Sequence, residues 1–206
     1  MKPPMRTVST DSGGRVDLIL ASGSPGRQSV LTQLSMPYLI DVPADTEGAR
    51  DTRPDNTVSH RATTKARNVA PRHKKGLILA ADTEVALDGR VLGKPANPEE
   101  AVEILLSLSG RSHEVLTAMT GILLPGSTEA SVLVRTVVVF RDLSRPEILS
   151  YVKSGEPFGK AGAYAIQGGG VLFVSKIAGE YTNIMGFPVA GFLGLLRQLN
   201  LKVVGA

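Results

Sequence analysis

Along this 206-residue chain, short uninterrupted apolar runs alternate with stretches of helical periodicity, which predicts strands and helices in turn through the first half. Residues 16–21 (VDLILA) form the first such run, closed by Ser-Gly-Ser-Pro, the pattern of a buried strand. Ser24 then suits a helix N-cap and Pro25 the first helical position, while Val30, Leu31 and Leu34 recur on one helical face. Residues 36–43 (MPYLIDVP) predict a second strand, 44–56 a polar loop and 58–70 a helix. Residues 77–81 (LILAA) predict a buried strand that ends at Asp82-Thr83, and 84–92 (EVALDGRVL) a hairpin turning at Asp88-Gly89.

The next helix has the strongest end signals: Asn97 as cap, Pro98 first, Glu99 and Glu100 in the first turn, an apolar face through Val102, Leu105 and Leu108, and Gly110 as stop. Residues 114–124 and 130–140 are β-rich and predict a long antiparallel pair joined by Pro-Gly-Ser. Residues 145–153 read as helix, 161–166 and 171–177 flank the glycines 168–170, and 189–199 form a closing amphipathic helix. There is no internal repeat. The pattern predicts an α/β fold with a mixed sheet and flanking helices. Residues 1–14 read as a loose N-terminal tail, and 15–206 as a single domain.

A 42% hydrophobic, 20% charged composition is that of an ordinary globular chain with one sizeable core. The absence of cysteine excludes disulfides, thiolate metal sites and a cysteine nucleophile. The N-terminal segment lacks the apolar stretch of a signal peptide, and the longest apolar run, 186–196, falls well short of the roughly 20 residues that span a bilayer. The expectation is a cytoplasmic protein with no membrane partner. The net charge of +4 lies entirely in the first part: residues 1–76 hold 12 Lys/Arg against 7 Asp/Glu, the remainder 11 against 12. Such a bias suits a phosphate site or a solvated surface. With four Tyr and five Phe spread thinly, stable nucleic-acid binding is not expected.

Two places offer chemistry. Ser22-Gly23-Ser24-Pro25-Gly26-Arg27 puts small residues between a strand end and a helix start, where free N–H groups and the helix dipole favour an anion. Taken alone, this segment reads first as a plain capped turn. Asp82, an acid closing an apolar strand, suits a metal ligand or a base, and equally a residue capping the next turn. Lys65, Lys94 and Glu47 are weaker signals singly. Walker, GxGxxG and GxSxG patterns are absent, and His60, His73 and His113 have no metal-ligand spacing.

In combination and in order, several segments resemble the Maf family of nucleoside triphosphate pyrophosphatases: LILASGSPGRQSVL at 18–31, TTKARNVA at 63–70, LILAADTEVALDGRVLGKP at 77–95, LSLSGRSHEVLTA at 106–118, GEPFGKAGAYAIQGGG at 155–170 and YTNIMGFPV at 181–189. The resemblance implies an elongated two-lobed α/β structure around a twisted mixed sheet, of the Maf and inosine triphosphatase-like type, with the site in a cleft between lobes and a homodimeric assembly. It implies catalysis by Asp82 and Glu47, which also bind a divalent metal, Mg²⁺ or Mn²⁺. Ser22, Ser24, Arg27, Lys65 and Lys94 would bind the nucleoside triphosphate substrate. Gly26, Thr83 and Gln167 occupy the positions that set base preference. Thr83 and Gln167 resemble the subgroup acting on dTTP and UTP, whereas a sister subgroup acting on 7-methyl-GTP has Gln and Glu there. Gly26 departs from the family's usual Ser-Pro-Arg-Arg loop by lacking the first arginine. A different or broader base preference, or a non-catalytic role in septum formation, are the competing readings.

Overall fold

The computed structural model describes residues 5–44 and 53–205. In chain order its elements are β1 (Thr7–Thr10), β2 (Arg15–Val16), β3 (Leu18–Leu20), α1 (Pro25–Gln33), β4 (Leu39–Ile40), α2 (Pro54–Val69), β5 (Gly76–Leu87), β6 (Arg90–Leu92), α3 (Pro98–Leu108), β7 (Ser112–Leu124), β8 (Thr128–Phe140), α4 (Arg145–Lys153), β9 (Val174–Ala178), α5 (Tyr181–Ile184), α6 (Val189–Gln198) and β10 (Leu201–Val204). A seven-stranded mixed sheet runs β4-β3-β5-β7-β8-β9, with β6 paired to β5, and a three-stranded sheet runs β10-β1-β2. This is the α/β architecture the sequence pattern predicts.

β5 is the spine. Its odd residues Leu77, Leu79, Ala81, Val85 and Leu87 face the main core, while Ile78, Ala80 and Ala86 on the other face meet α2 through Ala66, Val69, Val58 and Ala62. The two-residue period of a strand imposes this division. β7 covers one edge of β5 without a break, from Gly76↔Leu124 to Ala86↔Glu114. The other edge is shared: β3 runs parallel to it as far as Leu20↔Leu79, and β6 takes over only at Val85. Among the described residues, Ala80 to Glu84 therefore have no strand neighbour on that side.

Here the structure corrects the sequence reading. The apolar run does end at Ala81, but the strand does not. β5 continues through Asp82, Thr83 and Glu84, because the unbroken antiparallel ladder with β7 holds them extended. Asp82 is thus a mid-strand residue beside a gap in the sheet. The hairpin beyond it forms as predicted, with Asp88 and Gly89 both at positive φ.

The expected tail is a second correction. Thr7–Thr10 is the central strand of the small sheet, bonded to β2 and to the terminal β10 in the register Thr7↔Val204, with Val8 buried. A four-residue strand whose main partner lies at the other end of the chain leaves little local signal. Residues 36–43 contribute only the two-residue β4. The helix 97–110 is realised as α3, with the Asn97 side chain accepting from the Glu100 N–H. Among the described residues, no helix is long and apolar enough to cross a membrane.

A chain of edge-on aromatic contacts pins the C-terminal third onto the sheet. His113 on β7 meets Phe140 at 4.8 Å between ring centroids, Phe140 meets Tyr164 at 4.9 Å, and Tyr151 on α4 meets Phe173 at 4.9 Å. His113 is 2% exposed, with Nε2 3.0 Å from the Tyr164 hydroxyl and Nδ1 without a hydrogen-bond partner. Burial pushes its pKa down to about 4. The folded state therefore keeps His113 neutral while the unfolded chain takes up a proton below its ordinary value near 6.5. Stability from this residue is full above that pH and falls as pH drops towards 4, by about 3 kcal/mol in all. Urea unfolding between pH 7 and 4 should show this loss, and His113→Phe should flatten it; an unchanged slope in the variant would assign the pH dependence elsewhere.

Candidate active site

The gap beside β5 opens into a cleft of about 710 Å³. Its first wall is the β3–α1 turn with Ser22, Ser24, Gly26 and Arg27; its floor holds Lys65 from α2 and Asp82 and Thr83 from β5. Lys94 after β6, Gln167, and the segment Ile184–Gly186 complete it. All nine sequence-predicted residues that the structure describes line this single cleft. The tenth, Glu47, lies outside the described residues.

The β3–α1 turn has the form expected of an anion site. Ser24 occupies the N-cap position with an extended backbone, yet its side chain makes no capping bond, so the first N–H groups of α1 are not satisfied by it. Ser22 Oγ accepts from the Ser24 N–H at 3.2 Å and from Arg27 Nη1 at 2.8 Å.

Arg27 is tied into the protein on the cleft wall. Its guanidinium is buried and directed at the protein: Nε donates to the Gly186 carbonyl at 3.0 Å, Nη1 to Ser22 and Nη2 to Thr83 Oγ1 at 3.2 Å. Three of its five N–H groups are thereby used to join α1, β5 and the turn after α5. Burial lowers its pKa, against the opposing field of Asp82. Gly186 has φ +84°, and a Cβ there would stand 3.0 Å from Thr83 Oγ1, so both conformation and space call for glycine.

The Thr83 hydroxyl continues this network. It lies 3.0 Å from Thr117 Oγ1, which donates to the Asn183 carbonyl at 3.1 Å. Since Thr117 spends its only proton on Asn183, Thr83 must donate to Thr117 and accept from Arg27. One acceptor lone pair of Thr83 is left for the cleft. Asn183, fully buried, donates to the Val115 carbonyl at 2.9 Å and to Thr136 Oγ1 at 3.0 Å.

On the opposite face of β5, Asp82 Oδ1 accepts from Lys65 Nζ. Its Oδ2 is buried and has no hydrogen-bond partner, with Arg61 Nη1 at 3.9 Å. Arg61 is itself engaged with Glu84 Oε1 at 2.7 Å. A buried carboxylate oxygen without a donor is costly unless something outside the protein completes it. Among the described residues, no group of three or more His, Asp or Glu is placed to hold a metal. Gln167 reaches across the mouth of the cleft, donating to Ser29 Oγ at 3.3 Å.

The sequence reading assigned no role to Arg61, Thr117, Glu156, Lys160 or Asn183. Thr117 and Asn183 carried a usable signal, a polar residue inside an otherwise apolar segment that has to find a partner when buried.

A cleft where a helix N-terminus, an incompletely partnered carboxylate and several cations converge, at a break in a mixed sheet, is the arrangement of a phosphate-handling enzyme. Residues 17–199 match the family Maf, described as Maf-like protein, and the chain belongs to that family. The dTTP/UTP pyrophosphatase of Carboxydothermus hydrogenoformans is 46% identical over 181 residues, 88% of this chain and 97% of that protein. The proteins of the same name from Symbiobacterium thermophilum and Deinococcus radiodurans are 43% and 40% identical over 187 and 188 residues, 90% and 91% of this chain and 95% of each of those proteins. A solved structure, that of the Staphylococcus aureus Ham1 protein, aligns over 61% of this chain and 72% of its own, with 16% identity and a TM-score of 0.43.

Gly26 fits the site in a way the sequence did not disclose. A Cβ at this position would lie 2.7 Å from the Met185 carbonyl oxygen, so the turn after α5 occupies the space of any side chain there. Gly26→Ala should destabilise the protein by roughly 1–2 kcal/mol, because overpacking against backbone (about 1–3 kcal/mol) outweighs the gain of at most about 1 kcal/mol from alanine in a helix. A urea midpoint equal to or above wild type at constant slope would show that the 181–186 turn yields instead.

Proposed function

We propose that this chain hydrolyses nucleoside triphosphates, with dTTP and UTP preferred, to the monophosphate and pyrophosphate. The observation that carries this reading is the convergence of Asp82, Lys65, Lys94 and the N-terminus of α1 on one cleft of about 710 Å³, within the size range of nucleotide pockets. The relatives named dTTP/UTP pyrophosphatase support the same substrate class.

In the reaction, water attacks the α-phosphorus, the bond to the bridging oxygen breaks, and pyrophosphate leaves with the negative charge of that bond. Lys94, Lys65 and the α1 N–H groups stand where phosphate oxygens would be held, and their charge stabilises the departing pyrophosphate. Lys65 holds Asp82 Oδ1, while Oδ2 is buried beside Arg61 without a hydrogen-bond partner. The Asp82 carboxylate, which lines the cleft, is the group that would orient the attacking water and take its proton. The unpartnered Oδ2 also fits a divalent cation, since Mg²⁺ is commonly held by one or two carboxylates together with substrate phosphates. Asp82, with Glu47 as the second carboxylate, would hold Mg²⁺ or Mn²⁺, which would supply charge neutralisation and a more acidic water. Arg27 acts from behind the site, keeping the turn, Thr83 and Gly186 in place.

Base preference follows from proton bookkeeping at Thr83. Its hydrogen is committed to Thr117, so towards a ligand it only accepts. Thymine and uracil offer an N3–H donor to such an acceptor; cytosine offers a lone pair there and is repelled. Gln167 supplies both a donor and an acceptor at the rim. A cleft between two lobes, a homodimer and a cytoplasmic location belong to this same proposal, supported by family membership.

Pyrophosphate release across a nucleotide panel should rank dTTP and UTP above CTP, GTP and 7-methyl-GTP, and chelation of divalent metal should abolish it. Fastest turnover of GTP or 7-methyl-GTP would overturn the base assignment. Asp82→Asn should fold normally and lose activity by about 10²–10⁴-fold, the range of a positioned acid–base group. A folded variant with near wild-type release would remove Asp82 from the mechanism.

A further inference from the structure

The glycines 168–170 have no role in the chemistry described above, and Glu156 is a carboxylate on the cleft wall that none of those steps uses. The two meet. Glu156 Oε2 accepts from the Gly169 N–H at 3.0 Å, and Oε1 from the Gly170 N–H at 3.1 Å and from the Tyr151 hydroxyl at 2.7 Å. That hydroxyl in turn accepts from the Ala165 N–H at 3.0 Å. A single carboxylate, with its phenol, thus ties down the backbone on both sides of Gln167. Glu156 itself is steadied by Ser154, whose Oγ accepts from the Glu156 N–H at 3.2 Å.

The approach is so close that side chains are excluded. A Cβ on Gly168 would lie 2.4 Å from Glu156 Oε2, and one on Gly170 would lie 2.7 Å from the Ala165 carbonyl and 3.1 Å from the Tyr151 hydroxyl. Gly168 is therefore the complement of the carboxylate, and Gly170 that of the Ala165 backbone and the Tyr151 hydroxyl. Partial burial works to raise the Glu156 pKa, but the bonds from Tyr151, Gly169 and Gly170 outweigh it, with Lys160 adding a favourable charge, and the group is held below its ordinary value. Charge-assisted bonds of this kind are stronger than neutral ones. Tyr151 is anchored independently, by its place on α4 and its edge contact with Phe173. The loop is thus referred to the rigid core of the domain, not to the substrate.

We infer that Glu156 is the positioning residue of the base-reading loop: its carboxylate clamps Ala165–Gly170 so that Gln167 is presented to the nucleobase at the cleft mouth. This rests on the nucleotide reading of the cleft. It assigns Glu156 to recognition of the base and leaves the triphosphate to the first wall and the floor, where the α1 N-terminus, Lys65 and Asp82 lie.

The test separates those two halves of the ligand. In Glu156→Gln, the amide NH₂ replaces one of the two carboxylate oxygens and faces the backbone N–H that oxygen accepted from, so at least one bond is lost and a repulsion is introduced. Competitive inhibition by dTMP should weaken about tenfold, with KM for dTTP rising by a similar factor and kcat changing by less than about threefold, as loss of one charge-assisted bond implies. Inhibition by inorganic pyrophosphate should stay at the wild-type value. The dTTP over GTP preference should shrink by about the same tenfold factor, and amide hydrogen exchange at 168–170 should speed up. Glu156→Asp, which keeps the charge on a shorter arm, should recover part of each change. Unaltered dTMP inhibition in a folded Glu156→Gln protein overturns the clamp, and so does equal weakening of dTMP and pyrophosphate, which would mark a general distortion of the site. Failure of the wild-type protein to hydrolyse or bind any triphosphate is a different result: it overturns the nucleotide reading itself, whatever the exchange rates at the loop.

Discussion

Burying a guanidinium costs several kcal/mol unless acceptors replace the water it loses. Arg27 meets that requirement by drawing on three remote parts of the chain: Ser22 at the end of β3, Thr83 in the middle of β5 and the Gly186 carbonyl after α5. Each partner constrains another feature. Thr83 is fixed in its proton direction by Thr117 and Asn183, Gly186 is held to glycine by the nearness of Thr83 and Arg27, and the turn carrying Gly186 leaves no room for a side chain at Gly26. The cleft walls come from segments about 160 residues apart in sequence, and this one cation sets their spacing.

The division of β5 into two faces then separates the chemistry. Asp82 points to the α2 side, where Lys65 holds one of its oxygens, and Thr83 points to the α1 side, where Arg27 and Thr117 hold its hydroxyl. Adjacent residues on a strand cannot share a face. The carboxylate proposed to react and the acceptor proposed to meet the base are consequently held by different partners. Both residues line the cleft at the open edge of β5, where β3 has stopped and β6 has not begun.

Much of this was legible in the chain. Asn97 and its acidic first turn specified α3, and Asp88-Gly89 specified the tight hairpin, because these signals act within a few residues of themselves. The apolar runs at 16–21 and 77–81 announced buried strands for the same reason. The resemblance to the Maf family identified nine residues that the structure gathers in one cleft. Strand length and strand pairing were less legible. The reading stopped β5 at Asp82 since polar residues normally end a buried run, and it took residues 1–14 for a loose tail although β1 is sandwiched between β2 and the last strand.

What the sequence determined by itself was the set of local elements and the chemical types available: one acid after an apolar run, small residues before a helix, and lysines at fixed places. What only the tertiary structure decided was how each group is used. Arg27 is expected from sequence as a phosphate ligand, and in the structure three of its N–H groups brace the cleft by meeting acceptors up to 159 residues away. Glu156, to which the sequence assigned no role, accepts from the Gly169 and Gly170 N–H groups and fills the space a side chain at Gly168 would need. Hydrogen-bond satisfaction of buried groups is a three-dimensional condition, and no periodicity along the chain encodes who the partner is.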